Sequence, residues 1–264
     1  MNTAPAPSIT RAMILAAGLG TRFKPWTDQH PKALAPVNGK SLLQRNIEYL
    51  QRYGIRDVVV NVHHFAGQII DALTANQGWG SHFTISDETD EVLETGGGLK
   101  KARLLLEAAP FVLMNVDILT DMDLSEMMQD HARHRPLATL AVTARTTSRY
   151  FLFDGRQQLC GWRNVQTGQE RLARASDAVA QPGIAAEPMR AHGASSLIPK
   201  AFSGIHLIDP ALFPLMHREG KFSMVDVYLD LAASQSIRGF DHSQSLLIDV
   251  GKPESAERAA QLFT

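Results

Sequence analysis

Cysteine is almost missing from this chain: Cys160 stands alone among 264 residues, so no intramolecular disulfide framework can form and a reducing compartment suits it. A surplus of either charge is missing too. Twenty-six basic side chains against 27 acidic ones leave a formal net charge of −1, which argues against a nucleic-acid binder and its strongly basic face. No run of about 18 apolar residues occurs, so no membrane-spanning helix is expected. The opening "MNTAPAPSIT" is polar and lacks the apolar centre of a signal peptide. Residues 1–10 therefore read as a flexible tail, and cytoplasm is the expected location. No internal repeat appears.

What is present is a 44% hydrophobic composition, enough for a real core in a chain expected to form one domain over residues 1–264. Short apolar runs alternate with helical periodicity. Strands are predicted at Arg11–Ala17, from Asp57 ("DVVVNV"), near Phe83, from Phe111 ("FVLMNVD") and from Leu137. Between them, Ser41 with Gln44 forms a capping-box pattern before Leu42, Leu43, Ile47 and Leu50, and Gly54 stands where a helix C-cap belongs. Further helices are expected around Ile69–Leu73, from Gly97, and from Asp123 through about His134. This alternation predicts βαβ units and a doubly wound, mostly parallel α/β sheet.

After Arg145 the pattern changes. "RYFLFDGRQQLCGW" places Asp154-Gly155 between strand-like flanks, a hairpin signal, and Leu172–Pro199 reads as a long loop rich in Ala, Pro, Gly and Ser. A strand from Ala201, a helix from about Ser223, strands near Ile237 and Leu247 and a helix from Pro253 follow.

"LAAGLGTRFKPWTDQHPKALAPV", Leu15–Val37, follows the first strand, at the carboxyl edge where such sheets bind ligands. Gly18 and Gly20 allow backbone N–H groups to approach an anion closely. Arg22 can grip two phosphate oxygens and Lys32 adds a point charge, so the loop points to a polyphosphate. It is not a dinucleotide-binding fingerprint, because Phe23 stands where the third glycine belongs. It is not a P-loop either: "GKS" at Gly39–Ser41 has Leu34 where the first glycine belongs. "LETGGG" at Leu93–Gly98 precedes a predicted helix, and its glycines allow close approach to a flat ring while the helix start offers free N–H groups. Asp117 ends an apolar strand at the same edge, well placed to hold Mg²⁺. Asp121 and Asp123 lie close by, but Asp123 reads as a helix cap.

The opening stretch closely resembles the signature L-A-A-G-x-G-T-R-x-x-P-x-T, followed by P-K-x-L-x-P-V, of sugar-1-phosphate nucleotidyltransferases, with Pro25, Thr27, Pro31 and Pro36 all matched. Later landmarks fall in order across almost the whole chain. The resemblance implies a glycosyltransferase-A-like, Rossmann-like fold and Mg²⁺-dependent transfer of a nucleotidyl group from an NTP to a sugar-1-phosphate. It implies Arg22 and Lys32 as catalytic cations, and Leu15, Ala16, Ala17, Gly18, Gly20, Thr21, Glu94, Thr95 and Gly96 as further nucleotide contacts. It implies Asp117 and the Asp249 of "LLIDVGKPE" as metal ligands. The family more often has glycine where Val116 precedes Asp117.

The acceptor end is less legible. Asn115, Ser203 and Gly204 are candidates by resemblance. No Glu-Lys-Pro segment precedes "FSGIH", so Arg149 and Tyr150 are candidate substitutes, in a hairpin-and-loop region of about 145–200 expected to cover the acceptor site. "LETGGG" and the compact length resemble the N-acetylmuramate-1-phosphate uridylyltransferases most, so UTP is the favoured nucleotide; mannose- or heptose-1-phosphate guanylyltransferases are the alternative. Two other classes stay open. A phosphocholine-type cytidylyltransferase would need an aromatic box, for which Tyr150, Phe151, Phe153 and Trp162 are candidates. A regulatory paralogue that only binds nucleotide sugars would have lost Arg22, Lys32, Asp117 or Asp249, and all four are present. His63 and His64 read as the end of a strand, and His131 and His134 as a solvated helix face.

Overall fold

The computed structural model describes residues 9–173 and 197–263. The chain begins with β1 (Arg11–Leu15), 3-10 turns at Thr21–Phe23, Trp26–Asp28 and Lys32–Leu34, and a ribbon of β2 (Pro36–Val37) and β3 (Lys40–Ser41). Next come α1 (Leu42–Arg52), β4 (Asp57–Val62), α2 (Ala66–Ala75), β5 (His82–Asp87), α3 (Glu94–Lys101) and α4 (Arg103–Leu106). β6 (Phe111–Asn115), β7 (Ile118–Thr120), α5 (Leu124–His134), β8 (Ala138–Thr143), β9 (Arg149–Phe153), β10 (Leu159–Asn164) and β11 (Glu170–Leu172) follow. The last elements are β12 (Ile198–Ile208), α6 (Met224–Leu231), β13 (Ile237–Asp241), β14 (Leu247–Asp249) and α7 (Pro253–Leu262).

Neighbouring strands run in the order β5-β4-β1-β6-β12-β8-β13, and only β12 runs against the others. This is the mostly parallel α/β sheet that the alternation implied. Period-2 alternation along β1 supplies both of its faces. Ala12 and Ile14 join one core with Leu43, Ile47, Ile69 and Met127; Met13 and Leu15 join another with Leu99, Val227 and Tyr228.

Local rules hold at α1. Ser41 Oγ accepts from the Gln44 N–H at 3.1 Å, and Gly54, at φ 78°, ends the helix. Gly54 donates to the Gln51 carbonyl and Ile55 to that of Leu50, so two of the four orphan carbonyls of the last turn are satisfied by these residues.

The Asp154-Gly155 hairpin is present as β9 and β10, and β11 extends it. The expected long loop is shorter at both ends. Leu172 pairs with Gly161, and Ile198–Lys200 pair with β9, so β12 starts before Ala201. Most of the remainder, residues 174–196, lies outside the described residues, as do residues 1–8 of the expected tail. Phe151 and Phe153 are buried in the sheet core, which removes them from any aromatic box. His131 is a correction. It is buried, not solvated, because α5 packs on β8 and its Nδ1 shares a 2.8 Å hydrogen bond with Thr139 Oγ1; desolvation lowers its pKa. His134 is exposed, as expected. Among the described residues no helix is long and apolar enough to cross a membrane.

Candidate active site

A cleft of about 440 Å³ opens at the carboxyl ends of β1, β4 and β6. The glycine loop forms one wall. Gly20 has φ +61°, and a side chain there would lie 2.8 Å from Thr27 Cγ2 and 3.1 Å from Lys32 Cβ. Glycine at that position therefore lets the loop fold back until Lys32 reaches the cleft. Thr27 Oγ1 locks the fold by donating to the Gly20 carbonyl at 3.0 Å, and Trp26 Nε1 donates to the Pro31 carbonyl at 3.3 Å. Gly18 has open space above its Cα and faces the cleft unobstructed.

Lys32 Nζ stands 2.5 Å from Asp117 Oδ2, with both side chains mostly buried. Asp117 is presented by the turn after β6, whose backbone is held twice. Val116 donates to the Leu15 carbonyl at 3.1 Å, and the Val116 carbonyl accepts from buried Asn46 Nδ2 at 2.7 Å. Valine in place of the usual glycine is thus accommodated without loss of the turn.

Asp249 arrives on β14, which pairs with β7 so that Asp249 faces Ile118; the Val250 N–H donates to the Asp117 carbonyl at 2.8 Å. Although Asp249 is exposed overall, protein crowds its carboxylate and raises its pKa, and Asp117 raises it further. Lys32, Arg22 and Arg145 pull it down again. A side chain at Gly251 would meet Asp249 Oδ1 at 2.9 Å and Arg22 Nη2 at 3.3 Å, which explains the glycine of "DVG". Among the described residues no cluster of three or more metal-ligating side chains occurs. Two converging carboxylates suit Mg²⁺, which usually takes one or two and leaves its other positions to phosphate and water. Asp121 and Asp123 are otherwise engaged: Asp121 accepts from the Leu246 N–H at 2.7 Å, and Asp123 caps α5.

Of the residues predicted for the site, Asp249 is not among those lining the cleft, whereas Leu15, Ala16, Ala17, Gly18, Gly20, Thr21, Arg22, Lys32, Glu94, Thr95, Asn115 and Asp117 all line it. Gly96 does not. "LETGGG" forms the first turns of α3 instead of preceding a helix, and its glycines serve packing. Gly96 and Gly97 donate to the Phe222 carbonyl, so their N–H groups are not free, and a Cβ on Gly96 would come within 2.5 Å of the Phe222 ring. Gly98 makes room for Glu88 and Asn61 in the same way.

At the acceptor end, Ser203 is corrected. It is fully buried and shares a 2.7 Å hydrogen bond with His242 Nε2, so it faces the interior. Gly204, at φ +76°, packs against the amide of Asn115, where a Cβ would lie 2.9 Å from Nδ2. Its part is to seat Asn115. Arg149 is exposed and Tyr150 accepts from the Thr147 N–H at 2.9 Å; neither lines the cleft.

Six cleft residues were not assigned to the site from the sequence: Asn61, Glu88, Val92, Val116, Ser223 and Gly251. Asn61 Oδ1 accepts from the Ala16 N–H at 2.6 Å, and its Nδ2 donates to Glu88 Oε1 at 2.8 Å. Glu88 is 1% exposed, and its Oε2 has no hydrogen-bond partner among the described residues. Burial raises its pKa. An asparagine near the end of "DVVVNV" and a glutamate straight after a strand were the available signals. His63, read as a strand end, shares a 2.6 Å hydrogen bond between its Nδ1 and the Glu88 carbonyl.

Residues 11–151, which carry the glycine loop, Lys32 and Asp117, match the nucleotidyl transferase family. The chain belongs to that family. This nucleotidyltransferase is 31% identical to the N-acetylmuramate alpha-1-phosphate uridylyltransferase of Caulobacter vibrioides across 95% of its own length and 94% of that protein's. It is 40% identical to the Neisseria meningitidis protein of the same name, over 45% of its length and 52% of that one. In fold it is similar to HddC from Yersinia pseudotuberculosis, solved with GMP-PN. The TM-score is 0.70 at 21% identity, over 97% of this chain and all of that one.

Proposed function

We propose that this nucleotidyltransferase moves the uridylyl group of UTP onto N-acetylmuramate 1-phosphate in an Mg²⁺-dependent reaction of the cytoplasm. The observation that carries the reading is the convergence of the glycine loop, Arg22, Lys32 and Asp117 in one cleft, with the Asp249 segment tied beside it by the Val250 N–H bond to the Asp117 carbonyl. An oxygen of the acceptor phosphate attacks the α-phosphorus, the bond to the β-phosphate breaks, and pyrophosphate leaves with the electron pair. The attacking oxygen is already anionic, so no general base is required. Arg22 and Lys32 neutralise charge on the phosphates, and the backbone of Gly18–Thr21 orients them. Asp117 and Asp249 are the residues that would hold Mg²⁺, whose chemistry there is further neutralisation of phosphate charge.

Whole-length similarity to the Caulobacter vibrioides uridylyltransferase supports the choice of substrates. Glu88 supports the base. A carboxyl group driven toward its neutral form offers a donor beside an acceptor, matching the N–H and carbonyl of a uracil edge. A second reading uses the same residue: ionised, Glu88 would suit the paired N–H donors of guanine in a guanylyl transfer.

The test is pyrophosphate release with Mg²⁺, across UTP, GTP, CTP and dTTP against N-acetylmuramate, glucose, mannose and heptose 1-phosphates and phosphocholine. UTP with N-acetylmuramate 1-phosphate is expected to give the highest kcat/KM. A clear preference for another pair overturns these substrates. Silence across the grid with nucleotide binding intact overturns the enzyme reading in favour of a nucleotide-sugar sensor.

A further inference from the structure

The cations described so far, Arg22 and Lys32, come from the loop after β1, on one side of the Asp117–Asp249 pair. In-line displacement places the incoming and leaving oxygens on opposite sides of the α-phosphorus. With pyrophosphate at the glycine loop, the acceptor phosphate must approach from the other side, where β12 and β8 lie beyond β6. That approach carries a second anion close to two carboxylates, and a cation is needed there.

Arg145 stands on that side, just past the end of β8 and outside the lining of the cleft itself. Its Nη2 donates to the Phe202 carbonyl at 3.0 Å. Phe202 opens the irregular stretch of β12, where register against β8 shifts before His206 and Gly204 takes its left-handed conformation. Two residues of chain span at most roughly 7 Å, so the Arg145 anchor and the Gly204 seat of Asn115 belong to one short wall beside Asp117. The neighbouring backbone is fixed: the Ala144 N–H donates to Ser243 Oγ at 2.8 Å and the His242 N–H to the Val142 carbonyl at 2.9 Å. Lys200, the other cation of this wall, is spent on Asp241 at 2.5 Å. Arg145 forms no ion pair with a described residue.

We infer that Arg145 binds the phosphate of the acceptor, entering from the β8 side of the cleft while Arg22 and Lys32 hold the nucleotide. The inference rests on the transfer reaction proposed above. It assigns the task to a residue that the sequence reading passed over in favour of Arg149 and Tyr150. One guanidinium hydrogen stays on the Phe202 carbonyl, and the remaining donors form a planar fork that matches phosphate.

The experiment compares wild type with Arg145→Ala and Arg145→Lys. It uses the nucleotide and acceptor pair preferred by wild type, with each KM measured separately and inorganic phosphate tested as an inhibitor competing with the acceptor. Arg145→Ala is expected to raise the acceptor KM about ten- to hundredfold and to weaken phosphate inhibition similarly, with the NTP KM and melting temperature unchanged. Arg145→Lys keeps the charge without the fork and should recover part of the loss. An unchanged acceptor KM overturns the inference while leaving the reaction standing. A rise in the NTP KM instead places Arg145 on the triphosphate and overturns it too. Equal rises in both KM values with a lower melting temperature reduce Arg145 to a prop for Phe202. A wild-type chain inert with every pair is a separate failure: it removes the reaction reading first, and this inference with it.

Discussion

Lys32 Nζ and Asp117 Oδ2 lie 2.5 Å apart, joining the glycine loop to the end of β6 across 85 residues of sequence. On the reading proposed above, the contact sets the loop's cation beside a carboxylate that would hold Mg²⁺, so one site would both attract phosphate and hold the ion that neutralises it. Removing either partner leaves the other partly buried and unpaired, and the transition state loses a charge contact.

Lys32→Ala and Asp117→Asn are each expected to lower kcat by about 10²–10³-fold, with the far-UV spectrum and cooperative unfolding retained. EDTA should abolish turnover of the wild type, and added Mg²⁺ should restore it. Wild-type-like pyrophosphate release by either variant removes that residue from the catalytic site.

Gly20→Ala tests the loop's geometry. The new methyl would press on Thr27 and Lys32 from a left-handed backbone position, at about 1–2 kcal/mol for the conformation alone. The expected result is a lower melting temperature and a larger loss of kcat than the stability change explains, because Lys32 is displaced. Gly18→Ala, with open space at its Cα, should cost less stability. Equal melting temperatures for the two variants would refute the close-packing account.

Glu88→Gln separates the two bases. An amide reproduces the donor and acceptor of a neutral carboxyl, so activity with UTP should stay within several-fold of wild type. If GTP is the substrate, the carboxamide replaces one acceptor with a donor and kcat/KM should fall about ten- to hundredfold. The measurement is the UTP-to-GTP ratio of kcat/KM in the two proteins.

His206 gives a pH-dependent stability. It is buried beside Tyr228, sharing a 2.6 Å hydrogen bond through Nδ1, and burial pushes its pKa down to about 3 from an ordinary 6.5. The folded state keeps it neutral, while the unfolded chain takes up a proton once pH drops below 6.5. Its contribution is therefore full above pH 6.5 and is lost as pH falls from there toward 3, at about 1.4 kcal/mol per pH unit. Urea unfolding across that window should show a shallower pH slope for His206→Gln than for wild type. Parallel slopes would contradict the assignment.

Much of this protein could be read before folding was considered. Alternating apolar runs and capping residues such as Ser41 located most elements, because those signals are local. The motif residues Gly18, Gly20, Arg22, Lys32 and Asp117 could be assigned to phosphate and metal chemistry because the stretches that carry them resemble the signature of sugar-1-phosphate nucleotidyltransferases. Glu88 and Asn61 were invisible as a pair. Each belongs to a different strand end, and only the register of β4 beside β5 turns them into a bonded couple under the glycine loop. Ser203 and Gly204 show the opposite error. Adjacent in sequence, they face different surroundings, because the left-handed turn at Gly204 sends one toward His242 and sets the other against Asn115.

Composition and spacing thus determined by themselves that this chain forms a mostly parallel α/β sheet, since alternating strands and helices follow from residue type along the backbone, and the resemblance of its first loop to a family signature pointed to the sheet edge where phosphate is expected. Tertiary structure alone decided which groups share the cleft. Antiparallel pairing of β14 with β7 delivers Asp249 to Asp117, and the fold-back at Gly20 delivers Lys32. It also decided that the glycines of "LETGGG" pack a helix against Phe222. Proximity between residues distant in the chain is created by packing, and no local pattern encodes it.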